Sequence, residues 1–591
     1  MKASDRPARY EFGPFALDLQ RRELSRGGAQ VPLRAKSFDL LAVLLEHAGS
    51  PVTKETILSR VWSGAAVEEN SIAKAISELR RALGEGPRSS RFVRTLSGQG
   101  YCFAAAVKQI ARPAQPRLIA VLPFSPLVGG EEHEYLAVGL ADALITRLSR
   151  LREVIVRPTR AILPFACTAH DVVAAGRQLE VDSVLDGTVR RADGRVRVTA
   201  QLVDVSTGTV TWADTFDEPF SGVLSLEDVI SERVVAALAL VVTDQERRHL
   251  TRRYTVTPEA HEWDLKGRFH LARRTDADCW HAIEAFARAL KEDPNDALAY
   301  SGTAEAYVAL GIQALVMGGL PPLQAFPQAK GAIEQALRLD PQLADAHTAQ
   351  AQVSFLYDWH AEQAARSHRD ALEFDPHGAW TQHAHAMMLT FSGHHGSALA
   401  AMQRARQLDP LSPVINTNLG RVLYNARRYD EAVDQLQWTV GHAPHVVIAH
   451  HRLGLALDAS HRLDDAIREF ECAQRLSARA PAPSASLACT YAISGRRVDA
   501  ERILKSLLAR SRIEYVAAPC IAELFVALGD HDGAFEWLEK AVEERSSMLV
   551  TIQTSHRYDP VRGDSRFSRL VERVGLWQAA TPEPRSTSAK T

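Results

Sequence analysis

Lys74, Ser77 and Arg81 follow one another at intervals of three and four residues, so on a helix they share a face with Asn70. Cations and a hydroxyl on one face suit contacts to phosphate oxygens and base edges. Ile72, Ile76, Leu79 and Leu83 form the opposite stripe, with Glu78 and Arg80 on the flanks. An ordinary surface helix has the same pattern, so the segment by itself leaves both readings open. Elsewhere, histidines crowd between His377 and His395 and at His442, His445, His450 and His451, without the spacing of a four-ligand metal site. Glu68-Glu69, Glu131-Glu132 and Asp464-Asp465 read as solvated or capping acids. No G-x-x-x-x-G-K-[ST], H-E-x-x-H or G-x-S-x-G motif occurs. The expectation is a binding protein, not an enzyme, with no cofactor and no metal.

The basic face needs a scaffold, and residues 10–105 supply one. Tyr10–Asp18, Arg22–Leu24 and Gln30–Leu33 are short apolar runs, with a turn at Gly27-Gly28. Ala35–His47 is an apolar helix stopped by Gly49 and Pro51, and Thr53 caps a second helix to Trp62. After a Gly64-Ala65 turn, Asn70 begins the third helix, ending at Leu83-Gly84. Arg91–Thr95 and Tyr101–Ala104 flank the hairpin turn Ser97-Gly98-Gln99-Gly100. Strands, three helices and a hairpin, carrying VPLRAKSFDLLAVLLEHAG, SIAKAISELRRALG and FVRTLSGQGYCF, resemble the winged helix-turn-helix domain of the OmpR/PhoB family. The resemblance covers about 95 residues and implies a recognition helix at 70–83 and a wing at 94–101. It points to double-stranded DNA as partner, with Asn70, Ser71, Lys74, Ser77, Glu78, Arg80, Arg81, Arg91, Arg94, Thr95, Ser97 and Gln99 as contact residues. Many relatives carry arginine before the wing glycine where this chain has Ser97, which puts minor-groove reading in question.

The C-terminal half repeats. Ala364, Ala398, Ala432, Ala466, Ala500 and Ala534 are spaced by 34 residues, and Ala386, Gly420, Gly454, Ala488 and Ala522 precede the last five by twelve. Pro376, Pro410 and Pro444 follow alanines by twelve, as Pro294 and Pro341 follow Ala282 and Ala329. Small residues let paired helices touch, and proline ends each unit. This resembles the tetratricopeptide repeat family, with seven or eight units from about Ala260 to Glu544, an insertion near Ile312–Pro327, and a final cap helix around Tyr558 to Leu570. Such repeats bind a partner along first helices, which directs His383, Thr417, Arg421 and His451 to the groove; the plain alternative is that these are solvated residues.

Between head and repeats, strands and helices alternate. IAVLPF, VGLADALITRLSRL, VLDGTVRRADGRVRVTAQLVDVSTGTVTWADTF and LEDVISERVVAAL resemble a TolB-N-terminal-like (FlgO-like) α/β domain, a family without known catalysis. The expected organisation is a multidomain chain: winged helix-turn-helix (α+β) at 1–105, linker at 106–116, α/β domain at 117–250, all-α tetratricopeptide solenoid at 255–578 and disordered tail at 579–591.

Composition agrees with a soluble protein: 46% hydrophobic and 24% charged residues, with six cysteines that show no paired spacing, as in a reducing cytoplasm. The N-terminus lacks an apolar core, and the longest uncharged run near 101–130 is 13 residues, too short for a membrane span. Net charge is −2, but residues 1–110 carry 17 basic and 11 acidic side chains, leaving an acidic body. With a CadC/ToxR-like arrangement, the resemblances imply a cytoplasmic one-component transcription regulator. RNA polymerase or another protein would meet the repeats, and a homo-oligomer would form on DNA. A signalling scaffold, in which the winged helix reads no DNA sequence, remains the alternative, and a small-molecule sensor built on the α/β domain a third.

Overall fold

A computed structural model describes residues 9–19, 22–26, 29–62, 70–85, 91–110, 116–127, 131–151, 153–166, 171–219, 223–238, 240, 243, 255, 257–313, 319–478 and 480–575. The turns at 27–28 and 64–65 and the tail 579–591 lie outside the described residues. The chain forms two compact units, Met1–Pro116 and Arg117–Thr591.

In the first unit, β1 (Arg9–Phe12), β2 (Phe15–Asp18), β3 (Glu23–Arg26) and β4 (Ala29–Val31) form an antiparallel meander. The run Tyr10–Asp18, read as one strand, is two: Gly13 takes φ +53° beside Pro14, folding Phe12 opposite Phe15. Then come α1 (Ala35–Glu46), β5 (Pro51–Val52), α2 (Lys54–Val61), α3 (Asn70–Ala82), β6 (Val93–Leu96) and β7 (Gly100–Phe103). Thr53 caps α2, its Oγ1 accepting from Thr56 N at 3.2 Å. Phe12 and Phe15 stack and meet Phe92 and Phe103 edge to face within the core, which α1 and α3 close with Leu40, Leu41, Leu44 and Leu79. β8 (Lys108–Ile110) pairs with the free edge of β1, Arg9 opposite Ile110. Residues expected in a linker therefore complete this sheet, because an unpaired edge leaves backbone donors and acceptors without partners.

The second unit opens with β9 (Arg117–Val121), β10 (Ser125–Pro126), α4 (Glu131–Leu148), β11 (Val154–Val156), α5 (Thr159–Ile162), α6 (Val172–Gln178), β12 (Ser183–Ala192), β13 (Arg195–Asp204), β14 (Val210–Pro219) and α7 (Val223–Ala237). The sheet order is β11-β9-β12-β13-β14, parallel from β11 to β12 and antiparallel beyond. Asp193 and Gly194 both take positive φ, the twist a two-residue hairpin requires.

Eight helix pairs follow among the described residues, from Pro258–Arg273 with Asp276–Glu292 to Ala518–Leu528 with His531–Glu543. All of the in-phase alanines from Ala282 to Ala534 are 0% exposed. Gly454 shows why the partner position must be small: a Cβ there would lie 2.5 Å from Phe470. The α/β domain packs directly on the repeats. Arg157 is 1% exposed and donates to Leu179 O (2.7 Å), Glu180 O (2.9 Å), Gln407 O (2.7 Å) and Leu408 O (2.7 Å). Glu227 of α7 accepts from Arg147 of α4 at 2.9 Å and bonds His261 of the first repeat helix at 2.7 Å. Beyond the last pair, short 3-10 turns at Ser547–Thr551 and His556–Val561 run back along the first helices before helix Ser565–Val574. The expected cap helix thus begins only at Ser565, and Tyr558 is buried inside the solenoid.

Candidate nucleic-acid interface

The two faces of α3 separate as its spacing demands. Ile72, Ile76, Leu79 and Leu83 are at most 3% exposed, packed in the core with α1. Lys74, Ser77 and Arg81 are exposed and Ser71 is half-buried. Asn70 starts the helix, but its side chain is outside the described residues. Arg80 and Arg81 also stand in the last turn, where the partial negative charge of the helix end favours cations.

Two flanking residues are spent internally. Arg80 donates Nη2 to Val93 O at 3.0 Å and to Thr95 Oγ1 at 2.9 Å, tying α3 to β6. Glu78 accepts from Ser37 Oγ at 3.0 Å, anchoring the start of α1. Their partners lie far along the chain, so helix spacing could not expose these bonds. The role drawn from Arg80 and Glu78 is positional, and Thr95, though exposed, is engaged by Arg80.

Arg91, Arg94, Ser97 and Gln99 are exposed around the β6–β7 hairpin, and the Arg91 guanidinium lies 5.1 Å from the Phe92 ring centre. Gln99 N donates to Leu96 O at 3.0 Å, closing the turn. Gly100 takes φ +108°, and a Cβ there would lie 2.1 Å from Val52 O. Only glycine lets the wing root against β5. The result is one exposed helix face and a separate tip, with Lys74, Arg81, Arg91 and Arg94 as surface cations.

The groove residues differ from the expectation. His383, Thr417 and His451 are 5%, 1% and 4% exposed and so are not solvated. His383 Nε2 bonds Asn418 Nδ2 at 2.9 Å and stacks on Trp380; His451 Nε2 bonds Ser486 Oγ at 3.0 Å. Arg421 is half-buried, its guanidinium 4.6 Å from the Phe391 ring centre. Burial drives His383 down to about 3 and His451 well below the usual imidazole range, so both are neutral. His383 is enclosed by Trp380 and Asn418, and residues 546–562 cover the first helices beside Arg421 and His451. Arg557 Nη2 donates to Asp458 Oδ2 at 3.0 Å, Tyr558 OH to Pro519 O at 3.3 Å, and His556 Nδ1 meets Tyr424 OH at 2.7 Å. Leu549, Val550 and Ile552 join Phe355, Met388 and Phe391 in one core.

A three-donor group occurs among the described residues, though not in either histidine cluster singled out from sequence. His270, Asp278 and His281 bring ligand atoms within 4.8 Å of one another. Asp278 already accepts from Thr275 Oγ1 at 2.6 Å and His270 Nδ1 at 3.1 Å, which accounts for its place at a helix start. No helix among the described residues is long and apolar enough to cross a membrane.

Residues 28–103 match the family model for the C-terminal domain of transcriptional regulatory proteins, and residues 115–232 that for the second domain of HilA/YgeH-like transcriptional regulators. Residues 391–436 and 417–481 match a tetratricopeptide repeat model. The middle segment is thus similar to a regulator domain, a more specific likeness than the TolB-N-terminal-like one drawn from its phrases. Among curated proteins, the chain is 30% identical over 233 residues to "Putative adenylate cyclase 3" of Rhizobium meliloti, covering 39% of this chain and 38% of that protein. It is 34% identical over 185 residues to the transcriptional regulator HilA of Salmonella typhimurium, covering 30% and 32%. The chain spans less than two fifths of the length of either relative. Among solved structures, the DNA-binding domain of Klebsiella pneumoniae RstA, in complex with the RstA box, is 30% identical, with 16% of this chain and 96% of that chain covered and a TM-score of 0.16. The DNA-binding domain of E. coli CadC is 24% identical, covering 18% and 98%, with a TM-score of 0.16. The chain therefore joins an OmpR/PhoB-type winged helix, a HilA-like regulator domain and an array of tetratricopeptide repeats.

Proposed function

We propose that the chain is a sequence-specific DNA-binding transcription regulator that works in the cytoplasm and carries out no catalysis. The observation that carries this reading is the exposed row Lys74, Ser77 and Arg81 on a helix whose other side is buried. In the proposed docking, α3 enters the major groove, with Ser77 and Arg81 at base edges and Lys74 at phosphate. Ser71 and Asn70 stand at the leading end. Arg91 and Arg94 meet phosphates beside the wing, with Ser97 and Gln99 at its tip. Arg80, Thr95 and Glu78 hold the helix, wing and α1 in register.

A winged helix of this size buries about 600–1,000 Å² on DNA, so useful specificity asks for two copies on tandem half-sites. RNA polymerase or another protein is the partner proposed for the repeats. Because residues 546–562 cover the first helices beside Arg421 and His451, a partner using those two residues must displace them, and one using the buried His383 or Thr417 must open their own surroundings. Selection of bound sequences from random DNA by the full-length protein tests the reading, beside the Lys74→Ala/Arg81→Ala variant at about 150 mM salt. A discrete motif that the variant loses supports it. No enrichment at low salt as well would favour a signalling scaffold.

A further inference from the structure

A cavity of about 990 Å³ lies between the α/β domain and the first five helix pairs. That is the upper end of the volume range of small-molecule sites, roughly 300–1,000 Å³. Its guanidiniums are already matched where the bonds can be traced. Arg160 donates to Glu305 at 2.8 Å, and Arg268 to Asp142 and Asp264 at 2.9 Å each. Beyond these pairs the solenoid wall adds Asp345, Asp375 and Asp409, and Arg150 also lines the space, close enough to favour the charged forms of Asp345 and Asp375.

Asp409 stands out from its equivalents. Asp293, Asp340 and Asp375 each precede a repeat-ending proline and accept a backbone N–H two residues on, at 3.0, 3.1 and 3.2 Å. Asp409 holds the same place before Pro410 and is 3% exposed; the Ser412 N–H and hydroxyl hold its carboxylate instead, and its Oδ1 is buried with no partner of its own. Ser301 Oγ, on a residue 4% exposed, and Trp380 Nε1 are buried and unpartnered on the same wall. Buried polar atoms of native proteins almost always have partners, so three around one cavity point to a ligand. Burial raises Asp409 to about 6 and Asp375 to about 7 despite nearby arginines, with Asp345 adding repulsion at Asp375. A positive guest would relieve that strain.

We propose that this cavity binds a small organic cation, an amine or guanidinium compound, whose charge is met by Asp345, Asp375 and Asp409. Ser301 Oγ accepts from the guest's N–H groups, and Trp380 Nε1 donates to an acceptor on it. The site does not depend on the DNA-binding reading, because its occupancy is measured without DNA.

The test is calorimetric titration of the full-length protein with agmatine, a flexible dication, beside succinate, glucose and magnesium chloride. Agmatine should bind with a dissociation constant below about 1 mM and raise the melting temperature, while the other three give neither. Asp375→Asn/Asp409→Asn should weaken binding at least about tenfold. Ser301→Phe, which fills the space and leaves the charges, should do the same. Circular dichroism and melting without agmatine identify a variant that has not folded. No agmatine heat, equal binding of succinate or magnesium, or full binding by both folded variants would overturn the proposal.

Discussion

Removing Arg557 should loosen the second unit more than any surface arginine could. Its side chain is 4% exposed and that of Asp458 is 1% exposed, with Nη2 to Oδ2 at 3.0 Å. Asp458 also accepts from Thr490 Oγ1 at 2.8 Å, and the His556 ring lies 3.7 Å away. Arg557→Ala strands a buried carboxylate, a change that typically costs about 3–5 kcal/mol. The pH dependence gives an independent gauge. Despite burial, Arg557 and the hydrogen bonds from His556 and Thr490 hold Asp458 down to about 2, from an ordinary 3.8. At about 1.4 kcal/mol per unit this is worth roughly 2 kcal/mol, less than the loss on mutation because Thr490 and His556 supply part of it. A depressed carboxylate stabilises above its unfolded value, so this contribution is complete above about pH 5 and fades as pH falls from about 4 towards 2. Urea unfolding at neutral pH, followed by tryptophan fluorescence, measures the cost. Arg557→Ala/Asp458→Asn should be more stable than Arg557→Ala alone, because the stranded charge is gone. A loss below about 1 kcal/mol, or a double variant no better than the single, would refute a buried, charge-paired strut.

Gly100→Ala should cost at least about 1–3 kcal/mol and weaken DNA binding, since a left-handed backbone and the Val52 carbonyl both oppose a Cβ; chemical denaturation and DNA titration check it. Gly454→Val should destabilise the repeats by about 1–3 kcal/mol or more through collision with Phe470, read from the melting temperature. Arg157→Ala strands the carbonyls of Leu179, Glu180, Gln407 and Leu408, so the α/β domain should loosen from the repeats and trypsin should cut faster between 219 and 257. Lys74→Ala should weaken DNA binding evenly across sequences and reduce the slope of log affinity against log salt by about 0.9, as titrations at several salt concentrations would show.

The repeat architecture was legible because its cause is periodic. Alanines at 34-residue intervals exist to let two helices touch, and every one of them from Ala364 to Ala534 is buried. The same holds for α3, where Ile72, Ile76 and Leu79 need only the helix rotation to separate from Lys74, Ser77 and Arg81. Interactions across long chain distances were not legible. Arg80 on a helix flank looks available to DNA until Val93 and Thr95 are seen to hold it, and Glu78 looks idle until Ser37 finds it. Tyr10–Asp18 misled for a different reason: apolar residues on both sides of Gly13-Pro14 read as one run, although that dipeptide is a turn signal and Gly13 takes the positive φ of the reversal.

The groove shows how far such reading reaches. Repeat phase puts His383, Thr417, Arg421 and His451 on first helices, and they lie on first helices. Phase says nothing of what covers that face. Beside Arg421 and His451 the cover comes from residues 546–562, after the period has ended, and the pairing of Arg557 with Asp458 spans 99 residues of chain without a local signature. The cavity acids hide in the opposite way. Asp340, Asp375 and Asp409 belong to the repeated Asp-Pro step, where a helix stop already explains them, so the period masks the one that breaks its own rule. Asp409 is distinguished by bonding Ser412 instead of the residue two on, which leaves its Oδ1 buried without a partner. In a repeat protein, specific chemistry is therefore best sought where a copy keeps the residue type but changes its local bonds, leaving a buried polar atom that a partner beyond the repeat can satisfy.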